Sequence, residues 1–242
     1  MAIAGAAGLL ATWEAGLAEA PVGRALLLHR TARPDLDPAH LPVLPLGERE
    51  ADLFALRRAL FGERMQVRLE CTACGADMEF DLDAGEFARS LGGAPDSVVR
   101  VRQDGWDVEF RLPSVADLTA AARAAEPRTA LLARCLVSAV RDGSAVAADD
   151  LPAPVQRRIA EAAEAADPGA DVTLNVACPE CGQATRAELD IASYLWTELD
   201  AWARDVLLDV HLLATAYGWS EPEILALSPL RRCYYLELCA DV

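Results

Sequence analysis

Two stretches of this chain, CTACGADMEFDLD at 71–83 and CPECGQATRAELD at 178–190, share the pattern CxxCG and end in Leu-Asp at the same offset. Their first cysteines are 107 residues apart, too far for a tandem array, so the copies read as matching halves of one site. Two cysteines separated by two residues on a tight turn can both reach one ion. Thiolate is the commonest structural ligand of tetrahedral zinc. Gly75 and Gly182, each following a second cysteine, let the backbone fold back so that its amides point at sulfur. The spacing therefore predicts one structural zinc ion held by Cys71, Cys74, Cys178 and Cys181 in a split zinc ribbon. Because both knuckles must reach that ion, residues 65–190 cannot be two independent domains.

Four cysteine ligands leave no coordination position for an activated water, so the predicted site is structural and not catalytic. Redox exchange is the competing use of a CxxC pair. It needs the first cysteine at a helix N-terminus, where the helix dipole stabilises thiolate, whereas both pairs here sit between strand-like runs. Cys135, in the apolar run LLARCLV, and Cys233 and Cys239, in the last helical segment, read as core residues. His29, His40 and His211 are far from either motif in sequence, and His211 suits a packed or helix-surface position. No serine has a GxSxG setting, and no glycine-rich phosphate loop follows a strand. The chain reads as a non-enzyme.

Around the cysteines the hydrophobic period changes several times. Leu9, Leu10, Trp13 and Leu17 recur at helical spacing; Pro21 opens a second helix, and a third covers Glu48 to Phe61 with Gly62 at its stop. From Met65 the period is two. Met65, Val67 and Leu69 precede the first CxxCG, and Met78, Phe80 and Leu82 follow it, so the knuckle is a hairpin turn. VVRVR and WDVEFRL flank Asp104-Gly105 as a second hairpin. Ser114 with Asp117 marks a capped start, and helices are expected over 114–125, 128–141 and 153–165. Strand character returns at Val172, Leu174 and Val176 before the second knuckle.

Asp190 then begins a long helix through Ile191, Leu195, Leu199, Trp202, Val206, Val210, Leu213 and Tyr217. Gly218 ends it, and Trp219, Ser220, Glu223 and Ile224 supply the start signal of the next. Ser228-Pro229 opens the last helix. The expected partners of the long stripe within the chain are Leu9, Trp13, Leu27 and Leu56. They either cover all of it, as a helix apolar over a wide arc usually is covered within its own domain, or leave part of it, with Tyr234 and Tyr235, for another protein.

The fold class that follows is α+β: mostly helical, with a small antiparallel β module carrying a split four-cysteine zinc ribbon. The expected divisions are a helical region at 1–64, the zinc-ribbon module with a helical insertion at 65–190, and the long helix with its helical corner at 191–242. No run of about 18 apolar residues predicts a membrane span, and the N-terminus lacks the basic region of a signal peptide. The reading is therefore cytoplasmic. The formal charge is −16, and all 22 basic residues are arginine. So negative a body repels phosphate backbones, and Glu70, Asp77, Glu79, Asp81, Glu180 and Glu188 flank the knuckles. Charge thus argues against the alternative function, a zinc-ribbon adaptor for nucleic acid, and fits either good solubility alone or a soluble partner with a basic surface.

Several segments together resemble a known family. They are Trp13-Glu14-Ala15-Gly16 with Arg24-Ala25-Leu26-Leu27-Leu28, LGEREADLFALRRALFG before the first knuckle, LPSVADL after the second hairpin, and YGWSEPEILALSPLRRCYYLEL at the end. The chain is similar to the T-even-type baseplate hub assembly proteins encoded in gene clusters for contractile, phage-tail-like injection particles. The resemblance implies an assembly chaperone or accessory protein that works by protein–protein contacts, with baseplate or hub proteins of the particle as partners. It leaves open whether the protein stays in the finished particle.

Overall fold

A computed structural model describes residues 5–91 and 98–240. Helix α1 (Ala6–Leu17) buries Leu9, Leu10, Trp13 and Gly16, and α2 (Pro21–Ala32) starts on a proline whose missing N–H costs nothing there. Helix α3 (Leu46–Phe61) stops at Gly62, which adopts φ +84°. Strands β1 (Arg64–Glu70) and β2 (Asp77–Asp83) pair antiparallel, with Met65 opposite Leu82, Val67 opposite Phe80 and Leu69 opposite Met78. The Asp83 side chain caps α4 (Ala84–Ser90) by accepting from the Glu86 amide.

Strands β3 (Val98–Gln103) and β4 (Trp106–Arg111) turn through Asp104 and Gly105 at φ +50° and +80°, the paired positive angles of a tight hairpin. Helix α5 (Val115–Ala121) follows with a complete capping box between Ser114 and Asp117. Helix α6 (Pro127–Cys135) ends six residues before the sequence pattern suggests, because residues 136–141 are strand β5 (Leu136–Arg141), paired with β4. The segment LVSAVR carries two β-branched valines. It ends at Asp142-Gly143, a second pair at positive φ, which returns the chain into β6 (Ser144–Ala145). Helix α7 (Ala153–Ala166), strands β7 (Thr173–Ala177) and β8 (Ala184–Glu188), and helices α8 (Ile191–Tyr217), α9 (Glu221–Leu225) and α10 (Pro229–Ala240) complete the order. The fold class is α+β, and among the described residues every sheet is antiparallel. Among the same residues no helix is long and apolar enough to cross a membrane.

The chain divides into two compact units. One joins Met1–Ala32 to Ile191–Val242, so that α8 packs against α1, α2, α9 and α10. Trp13 Nε1 donates to Asp200 Oδ1 at 2.8 Å. Gly16 admits no side chain, because a Cβ there would lie 2.3 Å from Trp196, and Arg24 stacks over the same ring at 4.8 Å. Packing thus accounts for the Trp-Glu-Ala-Gly and Arg24 segments. Leu195, Leu199 and Leu213 are fully buried on α8, while Leu207, Leu208 and Leu212 are exposed. The other unit, Arg33–Asp190, groups α3 with the strands. Its largest sheet, β3-β4-β5-β6, buries Trp106, Val108, Phe110 and Ala139 with Ile159 of α7 and Leu151. The β1–β2 and β7–β8 hairpins are separate two-stranded sheets.

Candidate metal centre

Each CxxCG is the end of a hairpin, and the two ends are built alike. The β1–β2 ladder closes at Glu70 and Asp77, and the β7–β8 ladder at Ala177 and Ala184. In the first knuckle the Cys71 amide donates to the Ala76 carbonyl at 2.8 Å, and the Gly75 amide to the Cys71 carbonyl at 2.9 Å. In the second the Cys178 amide donates to the Gln183 carbonyl at 2.9 Å, and the Gly182 amide to the Cys178 carbonyl at 2.9 Å. Gly75 and Gly182 adopt φ +71° and +72°, a conformation that costs an L-residue with a Cβ about 1 kcal/mol or more. Chain geometry thus repeats at both ends of the 107-residue interval.

The two knuckles face each other. The sulfurs of Cys71, Cys74, Cys178 and Cys181 all lie within 4.8 Å of one another, and among the described residues this is the group able to hold a metal ion. Cys71 Sγ is 3.7 Å from Cys181 Sγ, and Cys74 Sγ is 3.7 Å from Cys178 Sγ. These contacts cross between hairpins. The first cysteine of each knuckle is buried, packed with Met78 and edged by Leu69, Ala76 and Val176, and the second is exposed.

The sulfurs are close enough that ionising one disfavours ionising its neighbours. The amides of Cys74 and Ala73 favour the Cys71 thiolate and bring that thiol down to about 6. The Ala76 amide favours the Cys74 thiolate as well, but the sulfurs of Cys181, Cys71 and Cys178 and the loss of solvent outweigh it and push Cys74 up to about 12. Cys181 is also raised: the Gln183 amide and Cys74 favour its thiolate, and loss of solvent with Cys71 and Cys178 opposes them. One thiolate suppresses the next. A bound cation removes that repulsion, which is how such a set becomes four ligands.

The remaining cysteines and histidines stay apart from this group. Cys135 is buried as expected, and Cys239 is half-buried. Cys233 is exposed and donates to Glu237 Oε1 at 3.6 Å, so it is not the core residue its apolar neighbours suggest. His29 is buried in α2, whereas His211 is on the open face of α8. Arg232 is 5% exposed and 3.4 Å from Asp209, which places it inside the α8–α10 packing.

Thr185 is the residue near the cysteines that spacing rules alone miss. It is 3% exposed on β8, and among the described residues its hydroxyl meets no partner within ordinary hydrogen-bond geometry. Superposing the two knuckles in sequence points to it, since Thr185 and Met78 both stand seven positions after a first cysteine.

The family model described as T4 bacteriophage base plate protein matches residues 31–196, a span holding both knuckles and everything between them. Searches of curated proteins and of solved structures each gave no match. The matched span is about two thirds of the 242 residues, and the chain belongs to the T4 bacteriophage base plate protein family.

Proposed function

We propose that this chain is a non-enzymatic, zinc-stapled accessory protein that helps assemble the baseplate of a contractile, phage-tail-like injection particle. The observation that carries the reading is the baseplate-family match over the span in which two distant hairpins meet at four sulfurs. A tetrahedral ion with bonds of about 2.3 Å sets its sulfurs about 3.8 Å apart, and the two cross-hairpin contacts are 3.7 Å. A soft, all-thiolate set favours zinc or iron–sulfur chemistry over magnesium or calcium. All four ligands come from the protein, which suits a staple better than a Lewis acid. An outward apolar stripe also supports action by contact: Leu230, Tyr234 and Leu238, four residues apart on α10, are 67%, 60% and 59% exposed.

The test joins metal content to particle assembly. Protein purified without a metal-binding tag should carry one zinc per chain, and iron or no metal in its place overturns the zinc assignment. Cells making the particle without this chain should yield tails with absent or incomplete baseplates under the electron microscope. Normal particles from those cells overturn the assembly role.

A further inference from the structure

Around the four sulfurs the two hairpins present equivalent positions, two residues before and seven after each first cysteine. These are Leu69 and Met78 on one hairpin, and Val176 and Thr185 on the other. Leu69 pairs with Met78 across β1–β2, and Val176 pairs with Thr185 across β7–β8. Three of the four are apolar, and they pack on the buried cysteines. Thr185 is the exception. A hydroxyl in such a wall is unfavourable unless something accepts its proton, and among the described residues Thr185 Oγ1 is buried with no well-formed hydrogen bond. Its neighbour is the Cys71 sulfur of the opposite hairpin. A thiolate is a far better acceptor than a thiol, and a bound metal fixes its ligand sulfurs as thiolates and holds them in place for a donor.

We propose that Thr185 is a positioning residue of the metal centre: its hydroxyl donates to the Cys71 thiolate once metal is bound, tying β8 to the first knuckle. The inference rests on the metal-binding reading and adds to it an asymmetry. Met78, at the same place on the other hairpin, covers the sulfurs without a donor. Among the described residues Cys71 thus becomes the ligand whose charge is shared with a side-chain hydroxyl, which holds its sulfur in place and resists its release. Partners of this kind commonly contribute ten- to a hundredfold to metal affinity.

The sign of the effect makes the idea testable. If the hydroxyl does nothing for the metal, Thr185→Val removes a buried unpaired polar group, so it should be neutral or stabilising in both metal-free and metal-bound protein. If it donates to Cys71, Thr185→Val should weaken metal binding about tenfold in a chelator competition, with the metal-free protein no less stable. Thr185→Ser, which keeps the hydroxyl, should restore affinity. Substitution with cobalt(II) gives a second readout, because the sulfur-to-cobalt charge-transfer band should shift in Thr185→Val and return in Thr185→Ser. Equal affinity and identical spectra for wild type and Thr185→Val overturn the proposal while leaving the metal site standing. So does a Ser variant as impaired as the Val variant. A wild-type protein that takes up neither zinc nor cobalt overturns the metal site itself, and the proposal with it.

Discussion

Asp117 is 1% exposed, and its carboxylate accepts from both ends of the Arg111 guanidinium, from Arg134 Nε at 2.9 Å, from the Ser114 hydroxyl at 2.7 Å and from the Ser114 amide at 3.1 Å. Burial by itself raises a carboxyl pKa. Here the Arg111 and Ser114 hydrogen bonds overcome it and hold Asp117 well below the usual range. A carboxylate depressed in the folded state contributes stability that is present above its unfolded value, about 3.9, and lost as pH falls through the folded one. Stability should therefore decline below about pH 4, and Asp117→Asn should flatten that acid limb while costing about 2 kcal/mol at neutral pH. Denaturant titrations at stepped pH measure both, and an unchanged acid limb in the variant would show that the network contributes nothing. The Ser-x-x-Asp cap is legible in the sequence because its parts are three residues apart. The arginines are not, since Arg111 and Arg134 reach the carboxylate from β4 and α6, and no local spacing rule places those elements beside the cap.

At the scale of elements, period-two runs around tight turns match the observed hairpins, down to the Asp104-Gly105 turn, because alternation and a positive-φ dipeptide are local signals. Strand β5 lies where the pattern predicts the end of a helix. LLARCLVSAVR is largely apolar, so its period is ambiguous, and the second Asp-Gly is the signal that decides it. The start of α3 depends on a contact no local rule reveals. The Gly47 amide donates to Asp167 Oδ2 at 2.9 Å across 120 residues, and a Cβ on Gly47 would stand 1.7 Å from Asp167 Oδ1. Asp167 is 5% exposed, so it cannot simply swing into water. Gly47→Ala should therefore expel the carboxylate, lose a buried charge-assisted hydrogen bond and lower stability by about 2 kcal/mol or more. Thermal unfolding of the variant beside Gly62→Ala tests it, since Gly62 has a positive φ but open space around it. A smaller loss at Gly47 than at Gly62 would mean that the α3 start is free to shift.

For the whole molecule, the division into two units is the feature least visible in the sequence, because α1 and α2 join α8, α9 and α10 across the entire intervening chain. Apolar stripes show that a helix must be covered without naming its cover. The cysteine pairs are legible because a repeated CxxCG, the residue type and spacing that metal coordination would require, marks two turns that the fold then brings together. That difference predicts how the molecule should come apart. A two-stranded hairpin is marginally stable in water by itself, and β1–β2 and β7–β8 share no ladder. A structural metal contributes about 10–16 kcal/mol of apparent binding energy, as much as the net stability of a whole domain, about 5–15 kcal/mol. Stripping metal should therefore open the knuckles and the hairpins that carry them. The helical unit keeps its own core, with Leu9, Trp13, Leu28, Leu195 and Leu199 buried. Trp13, Trp196, Trp202 and Trp219 lie in that unit and Trp106 alone in the other, so tryptophan emission reports mainly on the helices. On chelation, limited proteolysis should cut within 65–190 while the emission maximum moves little, and Cys71→Ser should behave the same way without chelator. If emission and protease resistance collapse together, the metal supports both units and the chain unfolds as one; if neither changes, the four cysteines are not what holds the hairpins.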